Sequence, residues 1–333
     1  MKNLQDIAEK LVAPEKGILA SDESTSTATE RLESIGVESS PETRRRWRQF
    51  LYTTEGIEHY ISGAIMFDET IRQSTDEGKN FPDLLSDRGI IPGIKVDKGK
   101  ISVPFSKKEK VTEGLDGLRD RLEEYKDLGA KFAKWRGAMY IDEEKDLPTD
   151  YDIHLDAHAL ARYAALCQDS SVMPIVEPEV VMEGDHSIEV CYRATKETLQ
   201  KVFSELESQK VDLSGILLKT NMVLAGSEAE KQSKPSEVAE YTLKCLRETV
   251  PEEVSGIVFL SGGQTAQRAT KNLDFINKER QDEPWELSFS YGRALQREAL
   301  EAWKGKEENV AKAQEAFLQR AKKVSKARQG KLN

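Results

Sequence analysis

Short apolar runs of strand length recur along this chain, and polar, charged segments with helical spacing separate them. The runs are Gly17–Ser21, Gly63–Phe67, Ile90–Val96, Ala130–Trp135, Val172–Val176, Gly215–Lys219, Gly256–Leu260 and Leu287–Tyr291. Runs that are apolar on both faces predict buried parallel strands rather than half-solvated antiparallel ones. Between them the helical period is clear. Leu115, Leu118, Leu122, Tyr125 and Leu128 step by three or four, as do Ile153, Ala157, Leu160, Ala164 and Cys167. Leu199, Val202 and Leu206 repeat the spacing, as do Val310, Ala313, Phe317 and Val324. Gly17, Gly63, Gly215 and Gly256 lead their runs, where helix-to-strand turns call for glycine.

Eight strand–helix units predict the α/β class and a (β/α)8 TIM barrel, with extra helices before strand one and after strand eight. The rival is a doubly wound open sheet. It loses ground because neither G-x-G-x-x-G nor G-x-x-x-x-G-K-[ST] occurs anywhere. With no low-complexity linker and no short-period repeat, residues 1–333 read as a single barrel domain.

Composition narrows the function classes. Lys plus Arg total 49 against 59 Asp plus Glu, a net charge of −10, which argues against nucleic acid as a partner. The balance of 38% hydrophobic and 32% charged residues is that of a globular chain. No apolar run approaches the ~20 residues of a membrane helix. The opening Met-Lys-Asn-Leu-Gln-Asp-Ile lacks an apolar signal stretch, so the expected location is cytoplasmic and no membrane partner is expected. Cys167, Cys191 and Cys245 are odd in number and widely spaced, which predicts structural thiols rather than disulfides or a zinc site.

A barrel carries its site at the C-terminal ends of its strands. Those ends hold Asp22, Lys95 and Asp97, Lys134 and Arg136, Glu177 and Glu179, and Lys219. Strand alternation puts Lys95 on one face with Asp97, Lys134 with Arg136, and Glu177 with Glu179. Charges inside apolar strands are costly to bury unless paired. Structural ion pairs would explain one such strand; four strands favour a functional cluster. A desolvated lysine beside another cation loses its proton more readily, and its neutral amine can attack a carbonyl to form a Schiff base. Glu177 and Asp22 are available as acid and base.

A separate signal concerns phosphate. Ser261-Gly262-Gly263 precedes an expected helix at 264–278, and Tyr291-Gly292-Arg293 precedes one at 292–303. Helix N-termini with small residues bind phosphate, and barrel enzymes often hold it after strands seven and eight.

From Leu11 to about Lys331 the chain closely resembles class I fructose-bisphosphate aldolase, the metal-independent Schiff-base type. The matching stretches include Asp22-Glu-Ser-Thr25, Gly93-Ile-Lys-Val-Asp-Lys-Gly99, Phe132-Ala-Lys-Trp-Arg136, Ile175-Val-Glu-Pro-Glu179, Leu217-Leu-Lys219, Phe259-Leu-Ser-Gly-Gly-Gln264 and Phe289-Ser-Tyr-Gly-Arg-Ala-Leu295. The resemblance implies Lys219 as the Schiff-base lysine, Glu177 as acid/base, and Glu179 as its neighbour toward the reactive lysine. It implies that Glu179 hydrogen-bonds that lysine, and it implies Lys134 in the carbinolamine steps and Asp22 in removing a sugar hydroxyl proton. Ser261, Gly262, Gly263, Ser290, Gly292 and Arg293 match one phosphate pocket. Arg31, Ser24, Thr27 and Lys95 match contacts to the sugar or its other phosphate, and Arg136 a further active-site arginine. The implied substrates are fructose 1,6-bisphosphate and its triose phosphate products. Neither cofactor nor metal is implied, and the protein would be a homo-oligomer. The chain departs from the family at Thr220, where proline is usual, and at Ser21 and Ser26-Thr27. Where vertebrate members carry a tyrosine-ended tail, this sequence reads Gln329-Gly-Lys-Leu-Asn333.

Three motifs have plainer readings. His154 and His158 at i, i+4 lack the glutamate of H-E-x-x-H and are expected as solvated helix residues. Arg44-Arg-Arg-Trp-Arg48 is expected to face Trp47, Phe50 and Leu51 inward with arginines outward, one of them free to reach phosphate. Lys322–Arg328 is expected to decorate the last helix, where cations suit the dipole, with Lys306-Glu-Glu308 in its first turn. Besides bisphosphate cleavage, two other functions fit this reading: another Schiff-base sugar-phosphate lyase, and a barrel kept as a binding scaffold.

Overall fold

The computed structural model describes residues 2–106 and 108–332. Eight parallel strands close into a barrel in chain order: β1 Gly17–Ser21, β2 Ile61–Met66, β3 Ile91–Lys95, β4 Phe132–Tyr140, β5 Met173–Val181, β6 Leu217–Thr220, β7 Gly256–Phe259 and β8 Glu286–Tyr291. Strand β8 returns to pair with β1 through Ile18↔Ser290 and Leu19↔Tyr291. The expected (β/α)8 fold is therefore present.

Helices Asp150–Asp169, Ile188–Ser208, Pro235–Thr249, Ala266–Glu279 and Arg293–Trp303 follow β4 to β8. Several begin where the sequence supplies an oxygen for an orphan N–H: Thr149, Ser187 and Thr265 each accept from the backbone three residues on, as does Ser40 ahead of the helix Pro41–Tyr52. Extra helices Lys2–Leu11 and Val310–Arg328 stand at the two ends, as expected. Glu307–Asn309 form a separate 3-10 turn ahead of the last helix rather than its first turn.

Two apolar layers hold the barrel. Outside, the strands pack against the helices. Inside, Ile18, Ile65, Phe132, Met173, Ile175, Leu217 and Val258 fill the lower interior, and Leu4, Ala8, Leu11 and Val12 from the N-terminal segment close it from below. Gly215 closes the 3-10 turn Leu213–Gly215 ahead of β6, as expected, whereas Gly17, Gly63 and Gly256 serve this packing rather than turns. None of Gly17, Gly63, Gly215 and Gly256 has a positive φ. A Cβ on Gly256 would lie 2.9 Å from Val12, one on Gly63 would clash with Leu11, and one on Gly93 with the Phe132 ring. The barrel floor is thus filled with apolar side chains, with the buried Ser288 hydroxyl donating to the Lys16 carbonyl, and the charged interior lies at the top.

Strands β4 and β5 run on to Tyr140 and Val181, so Arg136, Glu177 and Glu179 sit inside paired strands rather than beyond them. Lys131 lies outside β4 and is exposed. A small antiparallel hairpin, Lys100–Ser102 with Lys110–Thr112, hangs over the β3 end. Its strands are short and polar, and the hydrophobic pattern does not announce them.

Two basic motifs behave differently from expectation. Trp47, Phe50 and Leu51 do face inward, but so do two arginines. Arg44 binds Glu69 at 2.6 Å, and Arg48 binds Glu23 at 2.7 Å while stacking on the Trp47 ring. At the other end Arg328 is buried and donates to the Val12 carbonyl, so it fixes the last helix to the barrel floor rather than decorating it. Burial is tolerated in each case because the guanidinium finds an acceptor. His154 and His158 are half-exposed and both approach Glu205, at 3.2 and 3.0 Å. Cys167, Cys191 and Cys245 are free and buried, as expected. Among the described residues no helix is long and apolar enough to cross a membrane.

Candidate active site

The inward positions of successive strands turn from apolar to charged at one level. In β4, Phe132 is followed two residues on by Lys134 and then Arg136; in β5, Ile175 by Glu177 and Glu179; in β6, Leu217 by Lys219. These side chains surround a cavity of about 570 Å³ at the C-terminal mouth. Asp22, Ser24, Thr27, Arg31, Lys95, Lys134, Arg136, Glu177, Glu179 and Lys219 line it, as do Ser261, Gly262, Ser290, Gly292 and Arg293. Every candidate from the sequence except Gly263 is on that wall. Gly263 has φ 69° and packs on Met182, where a Cβ would come within 2.6 Å, so it shapes the turn.

At the floor of the cavity is an alternating chain of charges. The Lys219 ammonium forms an ion pair with Glu177, its Nζ 2.9 Å from Oε1. Lys134 lies 3.2 Å from Glu177 Oε2, donates to Asp22 Oδ2 at 2.8 Å, and sits 3.8 Å from Asp97. The lysine and glutamate side chains here are at most 5% exposed, and such burial is tolerated because each lies against an opposite charge. Burial alone would raise the Asp22 carboxyl, but Lys134 and Lys219 overrule it and hold the group well below the usual carboxylate range. Burial likewise opposes the Lys134 charge, yet Asp22, Glu177 and Asp97 hold its ammonium well above the usual lysine range. Lys134 is a fixed cation and Asp22 a fixed anion across ordinary pH.

Toward the rim, Arg136 donates from Nε to Glu179, so that Glu179 pairs with this arginine rather than with Lys219 as expected; Lys95 lies 2.5 Å from Asp97 Oδ1 and donates to the Asp97 carbonyl at 2.7 Å. Asp97 therefore belongs to the site. Its face shared with Lys95 was the signal for it. Glu23, Arg48 and Gln296 were missed, because nothing in the local sequence distinguishes them from surface polar residues. Glu23 takes both Arg31 and Arg48, and Gln296 donates to it at 3.0 Å.

The two turns after β7 and β8 differ in their readiness for an anion. Thr265 caps the helix Ala266–Glu279 through the Arg268 N–H at 3.2 Å. The helix Arg293–Trp303 starts from Gly292 with no side-chain cap; Leu295 N–H bonds the Gly292 carbonyl, and the Arg293 and Ala294 N–H groups have no acceptor among the described residues. Arg293 stands at that start and donates to the Gln264 carbonyl across the cavity edge at 3.3 Å. Burial and the charge of Arg31 both lower the Arg293 guanidinium from its ordinary value. Two cations thus face one space beside free backbone donors, an arrangement that favours a dianion. On the side of Arg31, Ser24 caps the helix Thr25–Glu33, and its oxygen is 3.1 Å from the Thr27 hydroxyl.

A closed parallel barrel with buried lysines and carboxylates at its strand ends, and an uncapped helix start after the eighth strand, is a (β/α)8-barrel enzyme. Comparison with known proteins makes this particular. The family model for class I fructose-bisphosphate aldolase matches residues 3–333, and the chain belongs to that family. A probable fructose-bisphosphate aldolase class 1 from Xanthomonas campestris pv. campestris is 52% identical over 99% of this chain and 98% of its own. Fructose-bisphosphate aldolase 1 of Toxoplasma gondii is 49% identical over 99% and 91%. A fructose-bisphosphate aldolase from Plasmodium falciparum, solved in complex with TRAP and a small-molecule inhibitor, superposes with a TM-score of 0.98 at 48% identity. That match covers 100% of this chain and 95% of the other.

Proposed function

We propose that the chain cleaves fructose 1,6-bisphosphate reversibly to dihydroxyacetone phosphate and glyceraldehyde 3-phosphate through a Schiff base on Lys219. The observation that carries this reading is the contact of Lys219 with Glu177 at the floor of a cavity whose rim bears the uncapped Gly292–Arg293 turn. Glu177 Oε1 takes a proton from the Lys219 ammonium, and the free amine attacks the C2 carbonyl of the ketose. Glu177 then protonates the carbinolamine hydroxyl, which leaves as water, and the imine forms. Lys134 stays cationic beside Glu177 and stabilises the carboxylate in each exchange.

Asp22, held anionic by Lys134, accepts the proton of the C4 hydroxyl. The electrons of that O–H bond become the aldehyde carbonyl, the C3–C4 bond breaks, and its pair moves into the iminium as an enamine. Glyceraldehyde 3-phosphate leaves. Protonation of the enamine at C3 and hydrolysis of the imine release dihydroxyacetone phosphate.

Ser261, Gly262, Ser290, Gly292 and Arg293 hold one phosphate, with Gly263 setting their turn. Ser24, Thr27, Arg31 and Lys95 serve the other, and Arg136 orients Glu179. The reading requires no metal. It takes residues 1–333 as one barrel domain of a cytoplasmic homo-oligomer. The test is a coupled cleavage assay on Lys219→Arg, which keeps the positive charge and forms no imine. Turnover should fall by several orders of magnitude, and near-normal turnover would refute the assignment.

A further inference from the structure

The loop carrying Asp22 is held from both sides by one buried amide. Gln296 lies on the helix Arg293–Trp303, one turn beyond the Gly292–Arg293 start, and is fully buried. Its Nε2 donates to the Ala20 carbonyl at 2.7 Å and to Glu23 Oε1 at 3.0 Å. Residues 20 and 23 bracket Ser21-Asp22. Ser21 is fixed separately on the outer face, sharing a hydrogen bond with the Tyr52 hydroxyl at 2.7 Å and donating to the Ile65 carbonyl at 2.9 Å. The Glu23 carboxylate that receives Gln296 is itself held by Arg48 at 2.7 Å and by Arg31. Gly292 packs on the same atoms: a Cβ there would meet the Ala20 carbonyl at 3.1 Å and Glu23 Oε1 at 3.6 Å.

We infer that Gln296 is a positioning residue for Asp22, tying the anion-binding turn after β8 to the carboxylate that takes the hydroxyl proton. Asp22 must meet Lys134 at 2.8 Å and present its other oxygen to substrate. A short loop between strand and helix would not hold that aim without a second fixed point, and a misplacement of about 1 Å can cost on the order of 10²-fold in rate. An amide suits the task because it donates twice from one rigid plane and leaves its own Oε1 to accept from Arg48, at 3.4 Å. Gly292, at the anion-binding turn, lies against the same Ala20 carbonyl and Glu23 carboxylate that Gln296 holds, so phosphate seating and proton acceptance share one support.

The inference rests on the role given to Asp22 under the proposed function, and the experiment separates the two. Gln296→Met, Asp22→Asn and the double variant are compared in two assays. One is steady-state cleavage of fructose 1,6-bisphosphate. The other is borohydride trapping of dihydroxyacetone phosphate on Lys219, which does not call on Asp22. Gln296→Met should lose roughly 10- to 100-fold in kcat for cleavage with trapping unchanged. The double variant should cleave no more slowly than Asp22→Asn alone, since both changes remove one function. Multiplying losses, or cleavage and trapping falling together, would overturn the inference. Normal cleavage by Asp22→Asn would overturn it too, and would do so by removing the role of Asp22 itself. Should Gln296→Met not fold, Gln296→Asn keeps the amide but draws it back by one methylene. It should show the same split between cleavage and trapping, and equal losses in both assays would contradict the inference.

Discussion

Lys219 Nζ lies 2.9 Å from Glu177 Oε1 on the adjacent strand, and both side chains are sealed at the barrel mouth. Under the proposed function, that contact gives the nucleophile its base without an intervening water. Glu177→Gln keeps the shape and removes the proton acceptor. It should lower kcat by about 10²- to 10⁴-fold and slow borohydride trapping to a similar degree. Cleavage lowered with trapping at the wild-type rate would move Glu177 out of imine formation.

The pairing of Asp22 with Lys134 sets a pH window. The folded Asp22 carboxyl sits below its ordinary value, so the stability it contributes is present above about pH 3.8 and is lost as pH falls through the lower folded value. The Lys134 ammonium sits above its ordinary value, so its contribution is fully present below about pH 10.5 and is lost only at higher pH. Neither group should place an inflection between pH 5 and 9 in the pH dependence of kcat/KM. Below pH 3.8 the thermal stabilities of wild type and Asp22→Asn should converge. A constant gap down to pH 2 would contradict the assigned charges.

Away from the substrate, Asp152 offers an opposite case. It is fully buried on the helix Asp150–Asp169, and burial, then Asp156 and Glu109, push its carboxyl up to about 7. The fold favours the neutral acid. Stability from this group is therefore complete below its unfolded value near 3.8 and declines as pH rises from there to about 7. Asp152→Asn should flatten that decline and raise the midpoint temperature at pH 8, by an amount on the order of a few kcal/mol in stability, with little change at pH 4. Equal effects at both pH values would show that the carboxyl is not strained.

Arg293 touches the cavity but little of the core. Arg293→Ala should raise KM for fructose 1,6-bisphosphate at least 10-fold, the loss of a charge-assisted phosphate contact of about 1.5–3 kcal/mol. The unfolding temperature should stay within a degree or two of wild type. An unchanged KM would place the phosphate elsewhere.

The strands, their order and the cluster at their ends are legible in the sequence because burial on both faces leaves apolar runs whose buried charged residues lie at the mouth. The runs under-read β4 and β5, since Arg136, Glu177 and Glu179 break the apolar pattern while still pairing in the sheet. The glycines were visible but their reason was not. Gly63 makes room for Leu11, which lies 52 positions away in sequence. The partnership of Arg48 with Glu23 was hidden for the same reason: each residue alone resembles a surface charge, and only tertiary packing brings them to 2.7 Å. Local pattern reveals which positions are buried, whereas polar pairing across the fold has no periodic signature.

The most direct test is to incubate the protein with dihydroxyacetone phosphate, reduce with borohydride, and locate the modified residue by peptide mass. The account predicts one stable adduct, on Lys219, formed equally well in the presence of a chelator. An adduct on another lysine, or none in a folded protein that still binds the triose phosphate, would contradict it.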